Sequence, residues 1–99
     1  MIYQLLISDE AALDIVDAYY WYESQRKELG NEFEKNLDDG LKRITNNPHH
    51  FQDKYNTVRI HYMERFPYGV HYLLENEKIK IVGVFHTARN PKSWIERLK

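Results

Sequence analysis

The sequence predicts an α+β domain, in the order β-α-α-β-β-β(-α), with a helical hairpin packed on one face of a mainly antiparallel four-stranded sheet. Three observations predict it. A short apolar run opens the chain, two helix-periodic segments follow back to back, and the second half alternates strand-like runs with turn residues.

Ile2 to Ile7 is short, apolar and bounded by Ser8, the pattern of a buried strand. The Ser8 hydroxyl can accept from the free amides of a helix's first turn, and Asp9 and Glu10 put negative charge where the helix dipole favours it. A helix is therefore expected from about Asp9 to Leu29, with Ala12, Ile15, Tyr19, Tyr22 and Leu29 as its core stripe and Gly30 as the permissive residue that ends it. Asn31 and Glu34 read as a capping-box pair for a second helix. Its stripe is Phe33, Leu37, Leu41 and Ile44, and Asn46, Asn47 and Pro48 stop it. After a polar link, Val58, Ile60 and Tyr62 alternate with Arg59, His61 and Met63 as a strand, and Val70–Leu74 and Ile79–Phe85 add two more. Phe66 to Gly69, with Pro67 setting φ, makes the first turn of the meander, and Glu75 to Lys78 around Asn76 makes the second. Pro91 then opens a short last helix carrying Trp94, Ile95 and Leu98.

Ninety-nine residues, 42% hydrophobic and 14% aromatic, support one domain over residues 1–99 with one modest core. Fourteen basic against fifteen acidic residues leave a net charge of −1, which excludes the broad positive field of a general nucleic-acid binder. With no cysteine there is neither a disulfide framework nor a thiolate metal site. The five histidines and the carboxylates show no close ligand spacing, so no metal and no cofactor is expected. No run reads as a signal peptide or a membrane span, so the expected location is cytoplasmic, with no membrane partner.

Chemistry concentrates near the end of the chain. The strand-like run Ile79–Phe85 delivers His86 at its tip, followed by Arg89 and an Asn90-Pro91 turn. Cleaving RNA through its 2′-hydroxyl needs a base, an acid and positive charge around the phosphate. His86 can serve as base or acid, and Arg59, Arg65 and Arg89 can each grip a phosphate with a forked pair of hydrogen bonds, with His61, Glu64 and His71 in reserve. By the period of two, Arg59, His61, Met63 and Arg65 share one strand face as a basic strip, while His61 and His71 are read first as residents of a solvated sheet face. Tyr19, Tyr20, Trp21 and Tyr22 are consecutive on a helix that turns about 100° per residue, so at least one ring must leave the core. Tyr20 and Trp21, with Trp94, are the candidate partner-binding residues.

Several strings occur in a telling order: WYE at 21–23, ELG at 28–30, NP at 47–48, RFPY at 65–68 and FHxxRxPxxW at 85–94. Together they resemble the RelE/ParE superfamily of bacterial toxins, and the two C-terminal strings most resemble its ParE-like, plasmid-stabilisation branch. The resemblance implies the growth-inhibiting toxin of a type II toxin–antitoxin system, silenced by a cognate antitoxin whose flexible tail wraps it, as a hetero-oligomer or a homodimer. It further implies one of two targets: DNA gyrase, bound as a protein, or mRNA on the ribosome, cut by an endoribonuclease. Nuclease members carry a denser set of lysines and arginines and often a tyrosine near the C-terminus, and here no tyrosine follows Tyr72. The expected reading is therefore a ParE-like toxin acting on a protein target such as gyrase. An mRNA endonuclease, or a degenerate non-toxic module that only binds antitoxin, stands as the alternative.

Overall fold

A computed structural model describes residues 2–51, 53–55, 57–88 and 91–97. Strand β1 (Gln4–Ile7) runs into helix α1 (Asp9–Gln25), where the Ser8 hydroxyl accepts from the Ala11 N–H at 3.0 Å and so caps the helix as its position predicts. Helix α1 stops at Gln25, before the expected Leu29, and helix α2 (Leu29–Asn46) follows at once.

The corner between the helices is made differently from the expected glycine stop and capping box. Glu28 takes the left-handed conformation at φ 74°, and the Glu23 carboxylate on the last turns of α1 accepts from the N–H groups of both Glu28 and Gly30 at 3.0 Å. Gly30 is buried in the first turn of α2, where a Cβ would lie 2.7 Å from the Tyr19 carbonyl oxygen. Its role is close approach of two backbones, not helix termination. Asn31 is bound to Tyr19 Oη at 3.1 Å and to Glu28 at 2.7 Å.

Ala11, Ala18 and Tyr22 form the buried stripe of α1, with Ile15 beside them; Ala12 is exposed and Tyr19 half-buried, a rotation from the stripe expected of the sequence. In α2 the buried residues Phe33, Leu37 and Ile44 fall where the periodicity puts them.

The rest of the chain is β2 (Asp53–Tyr55), β3 (Val58–Tyr62), β4 (Tyr68–Glu75), β5 (Lys78–His86) and α3 (Pro91–Arg97). The polar link thus contributes a short edge strand, β2, that its composition did not announce. The sheet order is β1-β5-β4-β3-β2, parallel only between β1 and β5. Tyr72 Oη donates to the Pro48 carbonyl at 2.6 Å, which ties the exit of α2 to the middle of β4.

The helical hairpin covers one sheet face. Tyr22 and Phe33 meet Phe66 and Tyr68 in an aromatic cluster with ring centroids 4.8 to 6.0 Å apart. Such pairs add about 0.5–1.5 kcal/mol each beyond their area. Ile79, Ile81, Val70 and Tyr72 complete that core.

Replacing Gly30 by alanine is expected to destabilise the fold by about 2 kcal/mol in urea unfolding, because overpacking against a backbone carbonyl outweighs the gain in helix propensity. An unchanged midpoint would mean that the hairpin corner opens without cost.

Candidate functional site

Strand β5 changes face along its length. His71 pairs with Gly83 and Tyr72 with Ile81, which leaves Val82 as the extra residue of a β-bulge. Before it Ile79 and Ile81 face the helices; after it Val84 and His86 do, while Phe85 turns to the opposite face. His86 therefore stands opposite Tyr68 on the helix side, with ring centroids 5.2 Å apart. Its Nδ1 accepts from the Ala88 N–H at 3.1 Å, so the neutral imidazole carries its proton on Nε2.

Here α1 and the ends of β4 and β5 splay apart around a groove of about 560 Å³. Helix α1 lines it with Asp14, Asp17, Ala18, Trp21 and Tyr22; Pro67 of the turn before β4 and Tyr68, Val84 and His86 of the sheet line the other side. Asp14, Asp17 and Trp21 fall at i, i+3 and i+7, one side of the helix. Burial, then the neighbouring Tyr68, raises the Tyr22 hydroxyl's pKa, so that ring stays a neutral phenol.

Asp14 joins three elements. It accepts from the Val84 N–H at 3.0 Å, and Arg97 of α3 grips it with both Nη atoms, the second at 3.1 Å. Arg97 also lies 4.5 Å from the centre of the Phe85 ring and pairs with Glu10 at 3.4 Å. Behind it Trp94 packs against His71 at 4.7 Å and Phe85 at 6.0 Å. A Cβ on Gly83 would strike the Phe85 ring at 2.3 Å, so only glycine lets that ring lie flat on the sheet.

The other candidates do not converge on His86. The Arg59 guanidinium donates to the carbonyls of Phe51 and His49 and so braces the loop after α2. Arg65 is held by Glu32 at 2.8 Å, and its own N–H donates to Asn36; Arg65, aided by Arg26, keeps the Glu32 carboxyl below the usual range. Arg89 lies outside the described residues. The expected basic strip is not presented to solvent, because His61 and Met63 are buried. His61 sits against Asn36, Gly40 and Arg43 of α2, and burial, then Arg43, lowers its pKa. Glu64 pairs with Arg43. His71 is only 1% exposed, not solvated, and burial, then Arg97, pushes its pKa down to about 4. Trp94 is packed inward, whereas Tyr20 and Trp21 are exposed, at 66% and 57%.

A family model described as ParE toxin of type II toxin-antitoxin system, parDE, matches residues 5–91. The chain belongs to the ParE toxin family. The match spans β1 to the start of α3, and so includes both walls of the groove. No curated protein sequence matches the chain. Among solved structures, a chain of the "Chromosomal ParDE TA system from P. aeruginosa" superposes with a TM-score of 0.77 at 18% identity, covering 86% of this chain and 96% of that one. At that identity the likeness is one of fold. Among the described residues of this ParE-family chain, no helix is long and apolar enough to cross a membrane, and no group of three or more His, Cys, Asp or Glu residues is placed to hold a metal ion.

The ParE-family groove thus combines one imidazole, two carboxylates and three large rings. Sequence alone singled out neither Asp14 nor Asp17, and Tyr68 only as the last residue of RFPY. The i, i+3, i+7 spacing of Asp14, Asp17 and Trp21 was a readable signal; the pairing of Tyr68 with His86 was not.

Two measurements probe this region. Because His71 is harder to protonate when folded, its contribution to stability is expected to be constant above about pH 6.5 and to fall as pH drops from there to about 4, by about 3 kcal/mol. His71→Gln should flatten that slope. Asp14→Ala, which strips partners from Arg97 and the Val84 N–H, is expected to cost about 2 kcal/mol by thermal unfolding.

Proposed function

We propose that this ParE-family toxin arrests growth by binding a protein target such as DNA gyrase, without cutting RNA, and that a cognate antitoxin neutralises it. The observation that carries the reading is the lining of the groove at His86. Among the described residues no lysine or arginine lines it: Asp17 stands there without a cation, and the one guanidinium nearby, Arg97, is spoken for by Asp14 behind it.

A ribonuclease must gather positive charge where the phosphate gains negative charge in the transition state. Asp14 is already balanced by Arg97, and the Asp17 carboxylate, which has no cation among the described residues, would repel that phosphate. Arg59 and Arg65 are engaged in bracing a loop and a helix start. A net charge of −1 also supplies little counterion-release affinity for ribosomal RNA. Protein recognition, by contrast, draws its energy from large rings that leave solvent, and Tyr20 and Trp21 stand ready on α1.

The test pairs two assays on purified protein. Gyrase supercoiling is expected to be inhibited, and primer extension on mRNA with translating ribosomes is expected to show no codon-dependent cuts. Cuts that vanish in His86→Ala and Arg89→Ala would replace this reading with an mRNA endonuclease. Cells that grow normally while expressing the chain alone would reduce it to an antitoxin-binding module. Trp21→Ala is expected to weaken the antitoxin complex by about tenfold, a result checked by calorimetry.

A further inference from the structure

Beside the groove lies one complete guanidinium site, and the groove holds the parts of a second. Next to it, Arg97 is gripped by the Asp14 carboxylate and lies on the Phe85 ring. One turn further along α1, Asp17 supplies the next carboxylate, and Trp21, Tyr22 and Tyr68 supply ring faces and edges. Among the described residues Asp17 forms no ion pair. Trp21 meets Tyr22 edge-on, with centroids 5.0 Å apart at 87°, so the two rings form a corner and not a closed stack.

From this we infer that the groove is the socket for one arginine side chain of the antitoxin, with Asp17 as its counter-ion and Trp21, Tyr22 and Tyr68 as its walls. The inference rests on the antitoxin half of the function proposed above and names the chemistry that the antitoxin brings to this site. A planar guanidinium suits it better than an ammonium, because it can hydrogen-bond a carboxylate while its face lies on a ring. A phosphate or a carboxylate ligand is disfavoured by the unbalanced charge of Asp17. A purely apolar side chain would leave the Asp17 charge desolvated without a partner.

The probe is N-acetyl-arginine N-methylamide, titrated into the full chain and followed by the amide signals of Ala18 and Val84 and the indole N–H of Trp21 in two-dimensional NMR. The norleucine and glutamate analogues serve as uncharged and anionic controls. Saturable shifts at these three signals are expected with the arginine compound. Binding should weaken by about threefold in Asp17→Asn, as for a partly solvated ion pair. Norleucine should bind more weakly than arginine, and glutamate should not bind. Asp17 is exposed, so the dispersed spectrum of Asp17→Asn should report an intact fold. Trp21→Leu, read at Ala18 and Val84, should also weaken the arginine probe.

Equal shifts with norleucine and arginine, an unchanged affinity in Asp17→Asn, or no saturable shift would overturn the socket. Growth arrest by a protein that ignores the probe would overturn the socket and leave the toxin standing. Probe binding by a protein that does not arrest growth would support the socket and remove the toxin.

Discussion

A single carboxylate holds the functional end of this molecule together. Strand β1 stops at Ile7, opposite Ile81, because Ser8 turns the chain into α1, while β5 continues to His86. The N–H of Val84 thus faces an edge with no strand beside it, and a buried amide left in that position costs about 1–3 kcal/mol. Asp14 Oδ2 accepts from that amide and from Arg97 Nη1, and Oδ1 accepts from Arg97 Nη2, so that one side chain closes the sheet edge, sets α1 against β5 and anchors α3. The Val82 bulge works with it. Without the extra residue, His86 would point to the face covered by Trp94, and the groove would lose its imidazole.

The use of the charged side chains follows from a small core. A domain of this size buries a limited apolar area, so its long cations also serve as braces. Arg59 holds the loop after α2, Arg65 and Arg26 hold Glu32 at the start of that helix, and Arg97 holds α3. Cations spent this way are poor catalysts of phosphate chemistry, since moving them to a substrate would release the contacts they make. The groove between α1 and the end of β5 instead presents rings and the Asp17 carboxylate.

Much of this was legible in the chain itself. Ser8 with Asp9 and Glu10, the Phe33, Leu37, Ile44 stripe and the turn at Asn76 act through neighbours a few residues away, and each reads correctly because its physics is local. The hairpin corner did not read correctly, because its cap comes from Glu23 on the preceding helix and its glycine serves a contact with Tyr19. His61 and His71 look like solvated strand residues to any rule of alternation, yet α2 covers one and α3 the other.

By itself the sequence determined the class of fold, the order of all elements but the short strand β2, and the family, since these depend on periodicity, caps and strings of residues close in the chain. Only the tertiary structure decided which side chains share a site. A bulge of one residue reverses every later side chain of its strand, and a carboxylate on a helix can be recruited by an amide far along the chain; neither event leaves a local mark. Those two long-range choices put His86 with Asp14, Asp17 and Trp21, and they left Arg59 and Arg65 to hold up the walls.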